Sequence, residues 1–289
     1  MPGPLLGERH VRSLLEGALH ACKEADQAEV VLSTSDEALT RFANNTIHQN
    51  VSERNSSLRV RVVMGKRIGV AMANSLEAQA LREAAKAACT IARFSEENAD
   101  FQSLPAPAGR VAPVKEAFAE TTAATTPEQR AKAVRTIIRR AEASKLTAAG
   151  AYSTACEELA VANSLGSFAY QPLTSADATV VVMGETSSGY GDRAAINSAG
   201  LDFEDLADEA CGRATRSANP RDLEPGEYEV VLEPYAVSEM LDYLGYVGFG
   251  AVALQDGRSF MAERLGQRVT GESIDIFDDG VDLRCFPLP

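Results

Sequence analysis

The chain has few of the residues from which common catalytic centres are built. Only three histidines occur among its 289 residues: His10, His20 and His48. A zinc hydrolase needs three protein ligands around one ion, commonly including two histidines one helical turn apart. His10 and His20 lie on one predicted helix and are separated by about 15 Å along its axis. We therefore predict three surface or hydrogen-bonded histidines, and no histidine-based metal site.

Other catalytic motifs are also missing. The sequence has no Gly-x-Ser-x-Gly motif, and no histidine in its C-terminal two thirds could serve as a base. Gly189–Gly191 lacks the Gly-Lys-Ser/Thr of a phosphate loop and lies between predicted strands, which favours a hairpin or bulge. The neighbouring carboxylates Glu157 and Glu158 would point in different directions on regular structure. We infer no acid–base pair from them.

No pair of cysteines has the spacing of a disulfide framework or a metal site. The five are odd in number, far apart and without a Cys-x-x-Cys motif, which favours a reducing compartment: Cys22, Cys89, Cys156, Cys211 and Cys285. The N-terminal residues lack the apolar core of a signal peptide. The longest apolar window, Leu244–Leu254, is too short to span a bilayer. We expect a cytoplasmic protein that does not bind membranes.

Positive charge is also scarce. With 28 basic and 41 acidic residues, the formal net charge is −13, so nucleic acid would be repelled. The densest basic stretch, Arg130–Arg140, alternates with an apolar stripe and indicates a solvated helix face. We expect no nucleic-acid partner.

The sequence does contain an internal repeat. Val62–Gly65 recurs as Val181–Gly184, 119 residues later, and both copies precede a turn, a strand-like run and an amphipathic helix. A repeat of this size predicts two related α+β modules. We place them at 1–97 and 127–222, joined by a Pro-rich linker at 98–126.

Within each module the local signals are clear. Asn44–Asn45 is a predicted turn between the strand-like runs 38–42 and 47–51. Thr126–Gln129 has a Thr N-cap, Pro at the first helical position and Gln at the third, which predicts a capping box. This helix opens the second module as the helix Gly7–Lys23 opens the first.

The last segment, 223–289, lies outside the internal repeat. Its patterns predict a strand at Tyr228–Leu232, a helix at Ala236–Leu244, a short helix near Phe260–Leu265 and a strand at Ser273–Phe277. So few elements bury little surface on their own. We predict an α+β fold in which two strand-hairpin-plus-helix modules precede the incomplete, apparently truncated start of a third, β-rich domain.

Three stretches resemble the TldD/PmbA family, also called modulators of DNA gyrase. They are Leu39–Gln49, Val60–Ala71 and Tyr228–Pro234. The resemblance implies cytoplasmic zinc-dependent peptidases that cleave unstructured peptides and assemble as dimers, often from two related subunits. It also implies that TldD-type subunits carry a His-Glu-x-x-x-His helix just after the strand that matches Tyr228–Leu232, and that a later cysteine completes the metal site.

The chain departs from that pattern at the zinc motif. The corresponding stretch, Glu239–Val247, contains no histidine, and Ser259–Gly266 is similar to the PmbA (TldE) type, which lacks the motif. We therefore predict no catalytic, cofactor-binding or metal-binding residue in this chain, and zinc in a TldD-like partner. The motif position without ligands is occupied by Leu241, Asp242, Tyr243, Gly245 and Tyr246.

Three hypotheses follow. The first is a non-catalytic PmbA/TldE-like subunit that acts in proteolysis, with a TldD-like subunit or a second copy as partner and a peptide as substrate. The second is an active metallopeptidase with an unrecognised or composite site, for which His48 and Cys285 are the only candidates. The third is a truncated peptide-binding or dimerisation module.

Overall fold

The computed structural model describes residues 5–107, 109, 111–282, 284, 286 and 287. It divides into two units. The first comprises residues 1–220 and 280–289, and the second comprises residues 221–279. The helices are α1 (Glu8–Ala21), α2 (Ala78–Phe94), α3 (Glu120–Ala123), α4 (Pro127–Ala143), α5 (Phe203–Arg216), α6 (Pro234–Leu244) and α7 (Ala251–Gln255). The strands are β1 (Gln27–Ala43), β2 (Thr46–Met64), β3 (Arg67–Ala73), β4 (Thr147–Asn163), β5 (Phe168–Met183) and β6 (Ser188–Ala195). None of the described helices has the length and apolar character needed to cross a bilayer.

The six strands form one antiparallel sheet in the order β3-β2-β1-β4-β5-β6. Each module contributes a three-stranded meander, β1–β3 or β4–β6. The two meanders join where β1 pairs with β4, from Glu29 opposite Asn163 to Phe42 opposite Gly150. The α+β fold class is confirmed, and the internal repeat of the sequence corresponds to two halves of a continuous sheet.

The helices of this unit pack on one face of the sheet. Paired residues on antiparallel strands share a face, and the even-numbered residues of β1 and β4 face the helices. Two hydrophobic clusters result, one for each module. The first lies under α1 and α2 and includes Val11, Leu15, Val30, Leu32, Leu58, Val60, Leu81 and Ala85. The second lies under α4 and α5 and includes Phe42, Val134, Ile137, Tyr152, Val180, Leu206 and Ala210.

Glycines bring one helix close to an edge strand in each half. A Cβ added at Gly69 on β3 would lie 2.1 Å from the Ala88 carbonyl oxygen of α2. One added at Gly189 on β6 would lie 2.0 Å from the Ala210 carbonyl oxygen of α5. The sequence suggested a hairpin or bulge at Gly189 and Gly191, and the structure shows neither. They lie inside a strand, where the missing side chains allow the helix to approach.

Polar side chains fix the N-terminal ends of two helices. Glu158 is 1% exposed and accepts hydrogen bonds from the Leu6 and Gly7 backbone N–H groups, both at 2.8 Å, at the start of α1. It also accepts from the Tyr170 hydroxyl at 2.8 Å. At α4 the predicted capping box of Thr126 and Gln129 is confirmed.

The described residues of segment 98–126 lie along the sheet. The Gln171 side chain on β5 accepts a hydrogen bond from the Val114 N–H at 2.7 Å and donates to the Val114 carbonyl at 2.9 Å. The Asn163 side chain donates to the Pro105 carbonyl at 2.8 Å. Since β6 pairs only with residues 176–183 of β5, the segment covers the half of β5 that lacks a second neighbouring strand.

The second unit contradicts several local predictions. Tyr228–Leu232 and Ser273–Phe277 are not strands, and Phe260–Leu265 forms turns instead of a helix. Val231 is 96% exposed. A strand requires a neighbour for its backbone groups, and none of the described residues provides one here. The helix predicted at Ala236–Leu244 is confirmed as α6.

The glycine contacts generate a stability prediction. We expect Gly189→Ala to destabilise the first unit by about 1–3 kcal/mol or more, because α5 must move away from β6 to admit the methyl group. Urea titration followed by circular dichroism would measure the change.

Gly200→Ala is the matched control. Gly200 has no atom within 4 Å of the added Cβ and no positive φ, so its effect should stay within about 0.5 kcal/mol. Equal midpoints for the two variants would contradict the packing argument.

Candidate functional site

The residues at the zinc-motif position lie on α6 and the π-helical turn that follows it. Leu241, Asp242 and Tyr243 belong to the last turn and a half of α6, and Gly245 and Tyr246 open the π turn Gly245–Phe249. Leu241, Tyr243 and Tyr246 are 38%, 65% and 88% exposed, and the Asp242 side chain is exposed too. The segment presents one carboxylate and two phenols.

Contacts at the end of the π turn hold its backbone in place. The Ser259 hydroxyl, which is buried, donates to the Gly248 carbonyl at 2.5 Å. The Phe260 ring lies so close to Gly248 that an added Cβ would be 2.6 Å from it. Phe260 also contacts Phe249 edge to face, with 5.7 Å between ring centroids. These contacts order a segment that has little other burial.

This arrangement does not fit a zinc ion. Zinc sites use three or four Cys, His, Asp or Glu ligands converging on one point. Asp242 is the only such residue of the five, and the described part of the chain contains no group of three or more His, Cys, Asp or Glu that could hold a metal. No catalytic step can be derived through a metal at this position.

The histidines and cysteines are unsuited to a composite site among the described residues. His10, His20 and His48 are all exposed, as predicted for surface histidines. Cys22, Cys89, Cys156 and Cys211 are buried and free. Burial raises the pKa of Cys22, with Cys89 adding to it, and the pKa of Cys156, with Glu158 adding to it, each to about 12. These thiols stay protonated and unreactive at neutral pH. Cys285 lies outside the described residues.

The first unit contains a feature that sequence reasoning missed. On the sheet face opposite the helices, Glu37, Glu53, Glu157 and Asp177 line an acidic trough with a cavity volume of about 490 Å³. Glu37 pairs directly with Glu53 across β1 and β2. Like charges at directly opposite positions destabilise a sheet. Among the residues lining the trough, Arg41 is the only basic side chain.

The carboxyl groups of the trough are electrostatically strained. Burial raises the pKa of Glu157, and the neighbouring Glu37 and Asp177 raise it further. Burial also raises the pKa of Asp177, with a contribution from Asp192 that is opposed by a hydrogen bond from Ser175. Glu158 points to the helix face, so the prediction that Glu157 and Glu158 point in different directions is confirmed.

One residue of the predicted basic helix face is misassigned. Lys132, Arg135, Arg139 and Arg140 are exposed, but Arg130 is only 2% exposed. Its guanidinium donates to the Thr125 carbonyl and the Thr154 hydroxyl, both at 3.1 Å. Burial lowers its pKa. Arg130 therefore joins α4 to β4 instead of extending the basic surface.

The trough generates a pH prediction. The pKa of Glu157 is higher in the folded than in the unfolded state, so its ionised form destabilises the fold at neutral pH, and this penalty disappears as the pH falls. We expect Glu157→Gln to stabilise the protein at pH 7 by about 0.5 kcal/mol, a magnitude typical of partly solvated charges. The gain should vanish below about pH 4, where the carboxyl group is protonated in both states. Thermal unfolding from pH 3 to pH 8 would measure it.

Glu16→Gln, on the exposed side of α1, removes the same charge away from the trough. It should leave the pH profile of stability unchanged. Loss of stability at pH 7 in Glu157→Gln would contradict the electrostatic argument.

Comparison with known proteins places these features in a family. Three family domains match the chain: PmbA/TldA metallopeptidase domain 1 at residues 28–92, the central domain at 117–218 and the C-terminal domain at 225–286. An uncharacterised protein from Methanocaldococcus jannaschii is 32% identical over 106 residues, which are 37% of this chain and 24% of that protein.

Solved structures share the fold. TldE from Thermococcus kodakarensis superposes with a TM-score of 0.62 at 20% identity, covering 70% of this chain and 47% of that chain. Candidate modulators of DNA gyrase superpose with TM-scores of 0.74 (Thermotoga maritima, 13% identity) and 0.77 (Bacteroides thetaiotaomicron, 16% identity). These two alignments cover 87% and 92% of this chain, and 58% and 62% of those chains.

The chain thus spans less than two thirds of the length of each of these four relatives. Its three domains occur in the family's order, and together they account for most of its residues. The chain belongs to the PmbA/TldD metallopeptidase family.

Proposed function

We propose that this chain is the non-catalytic, PmbA/TldE-like subunit of a cytoplasmic metallopeptidase assembly that degrades unstructured peptides. In this proposal a TldD-like partner supplies the zinc ion, and this chain shapes the channel through which the peptide reaches it. A second copy of the chain is the alternative partner.

The observation that carries the proposal is the composition of the segment at the zinc-motif position. The resemblance implies two histidines and a glutamate there in TldD-type subunits. Here the helix and π turn present Leu241, Asp242, Tyr243, Gly245 and Tyr246 instead. One carboxylate cannot replace three ligands. The fold that the chain shares with a TldE supports the same assignment.

The remaining described side chains support a non-catalytic role. A peptidase that lacks its zinc ligands would need a nucleophile and a base within hydrogen-bond reach of each other. The four described thiols are buried, and burial raises the pKa of each of them. The histidines are exposed, on α1 and β2.

The surface of the second unit supports the need for a partner. Met240 and Val247 are 56% and 51% exposed, and Tyr246 is 88% exposed. Large patches of exposed apolar side chains mark interaction sites in soluble proteins. A partner subunit that covers α6 and the π turn would remove these side chains from water.

Metal analysis together with peptidase assays tests the proposal. We expect the purified chain to contain substoichiometric zinc and to leave an unstructured peptide such as casein intact, because the motif position offers no ligand set. When a TldD-like subunit is added, the two should co-elute and cleave the peptide, and zinc should be found in the complex.

A His48→Ala variant serves as a control for a composite site. It should support the activity of the complex as well as the unchanged chain does, since His48 is an exposed residue on β2. Stoichiometric zinc with peptidase activity in the chain alone would refute the non-catalytic assignment.

A further inference from the structure

In each module, half of the second strand has a neighbouring strand on one side only. β6 pairs with residues 176–183 of β5, and β3 pairs with residues 58–64 of β2. In the second module, segment 98–126 lies beside the remaining half of β5, where the Ala119 N–H donates to the Thr174 hydroxyl at 2.9 Å. In the first module, none of the described residues hydrogen-bonds the outer backbone edge of β2 between residues 50 and 54.

The register shows which backbone groups of β2 point away from β1. The Val63 carbonyl accepts a hydrogen bond from the Asp26 N–H at 2.9 Å, so Val63 directs its backbone groups toward the β1 side. Residues of a strand alternate in this direction, and the β1–β2 pairing is regular over this stretch. Asn50, Ser52 and Arg54 therefore direct their N–H and C=O groups outward. All three residues are exposed.

The open stretch begins where the chain leaves β3. There the Ser56 hydroxyl donates to the Asn74 carbonyl at 3.2 Å. The bridge between Arg67 and Glu97 lies at the opposite end of β3. A strand added antiparallel to β2 beyond Ser56 would continue the line of β3. The open stretch of β2 is about 17 Å long at the rise of an antiparallel strand.

Charge indicates which kind of strand this edge accepts. On the sheet face opposite the helices, Glu53 lies in the acidic trough and pairs with Glu37. Arg41 is the only basic side chain among the residues that line the trough. On the other face, Arg54 forms an ion pair with Asp36. A second acidic edge would be repelled here, whereas a basic side chain would be attracted.

We propose that the outer edge of β2 from Asn50 to Arg54 binds an extended peptide that carries lysine or arginine. The peptide lies antiparallel to β2 and hydrogen-bonds the outward backbone groups of Asn50, Ser52 and Arg54. A basic side chain opposite Glu53 then shares its face of the sheet, with about 4.5–5.5 Å between Cβ atoms. The backbone pairing accepts many sequences, and the trough selects for positive charge. This inference concerns the first unit alone and does not depend on the proposed function.

Fluorescence anisotropy with labelled peptides tests the charge preference and the pairing. The probe is a short fluorescein-labelled peptide of alternating threonine and lysine, added to the full chain alone. It should bind at least about tenfold more tightly than the same peptide with glutamate in place of lysine, because glutamate would lie beside Glu53.

Two N-methylated forms of the lysine peptide test the backbone pairing. With lysine opposite Glu53, each threonine directs its N–H toward β2 and each lysine directs its N–H toward solvent. Methyl groups on the threonine nitrogens should therefore weaken binding by about tenfold or more, because they remove the hydrogen bonds to β2. Methyl groups on the lysine nitrogens should leave the affinity nearly unchanged. The two peptides have the same charge and composition.

Variants of the chain locate the site. Ser52→Pro removes one outward N–H group, and proline is tolerated on an edge strand where the N–H faces solvent. It should weaken binding of the lysine peptide by about tenfold, with an unchanged circular dichroism spectrum. Glu53→Gln should weaken binding by about threefold. Glu16→Gln, on the exposed side of α1, is the matched control and should bind as the unchanged chain does.

Equal affinity for the lysine and glutamate peptides would overturn the proposal. So would equal affinity for the two N-methylated peptides, because net charge alone would then explain the binding. Equal effects of Glu53→Gln and Glu16→Gln would place the peptide elsewhere on the chain. The measurement requires neither zinc nor a partner subunit, so a negative result would leave the proposed function unaffected.

Discussion

The pairing of β1 with β4 is the interaction on which the rest of the first unit depends. Each module alone is a three-stranded meander with two helices on one face. The ladder from Glu29–Asn163 to Phe42–Gly150 joins the meanders and aligns their helix faces. Because the side-chain period of a strand is two, a slip of one residue in this ladder would turn every core residue of one module toward solvent. The ladder therefore fixes the two hydrophobic clusters on one face and the acidic trough on the other.

That dependence explains which features could be read from the sequence. Local signals were sufficient for the hairpin at Asn44–Asn45, the capping box at Thr126 and the amphipathic helices, because each of these is stabilised within a short stretch of chain. The trough was out of reach even in its first half. The Asn44–Asn45 turn alone would pair Glu37 with Ser52, and a register shift between Arg41 and Phe42 brings Glu37 opposite Glu53. Glu157 and Asp177 join them only through β1–β4 and β4–β5 pairing. The intermodule ladder has no local sequence signature.

The incorrect predictions share a physical cause. Tyr228–Leu232 and Ser273–Phe277 have the composition of strands, but a strand is stable only when neighbours bond its backbone. Arg130 was misassigned for a related reason. Its charge suggested solvent, whereas its position near the start of α4 places the guanidinium between Thr125 and Thr154. In each case the outcome depended on whether a partner distant in sequence was present. At the zinc-motif position the absence of metal ligands stays a prediction, which rests on the identity of the residues there.

The same contrast between partnered and unpartnered groups separates the surfaces of the molecule. Glu158 is a buried carboxylate stabilised by backbone and hydroxyl donors, whereas Glu157, the preceding residue of β4, faces other carboxylates. Its raised pKa means that the fold retains an unfavourable charge arrangement at neutral pH.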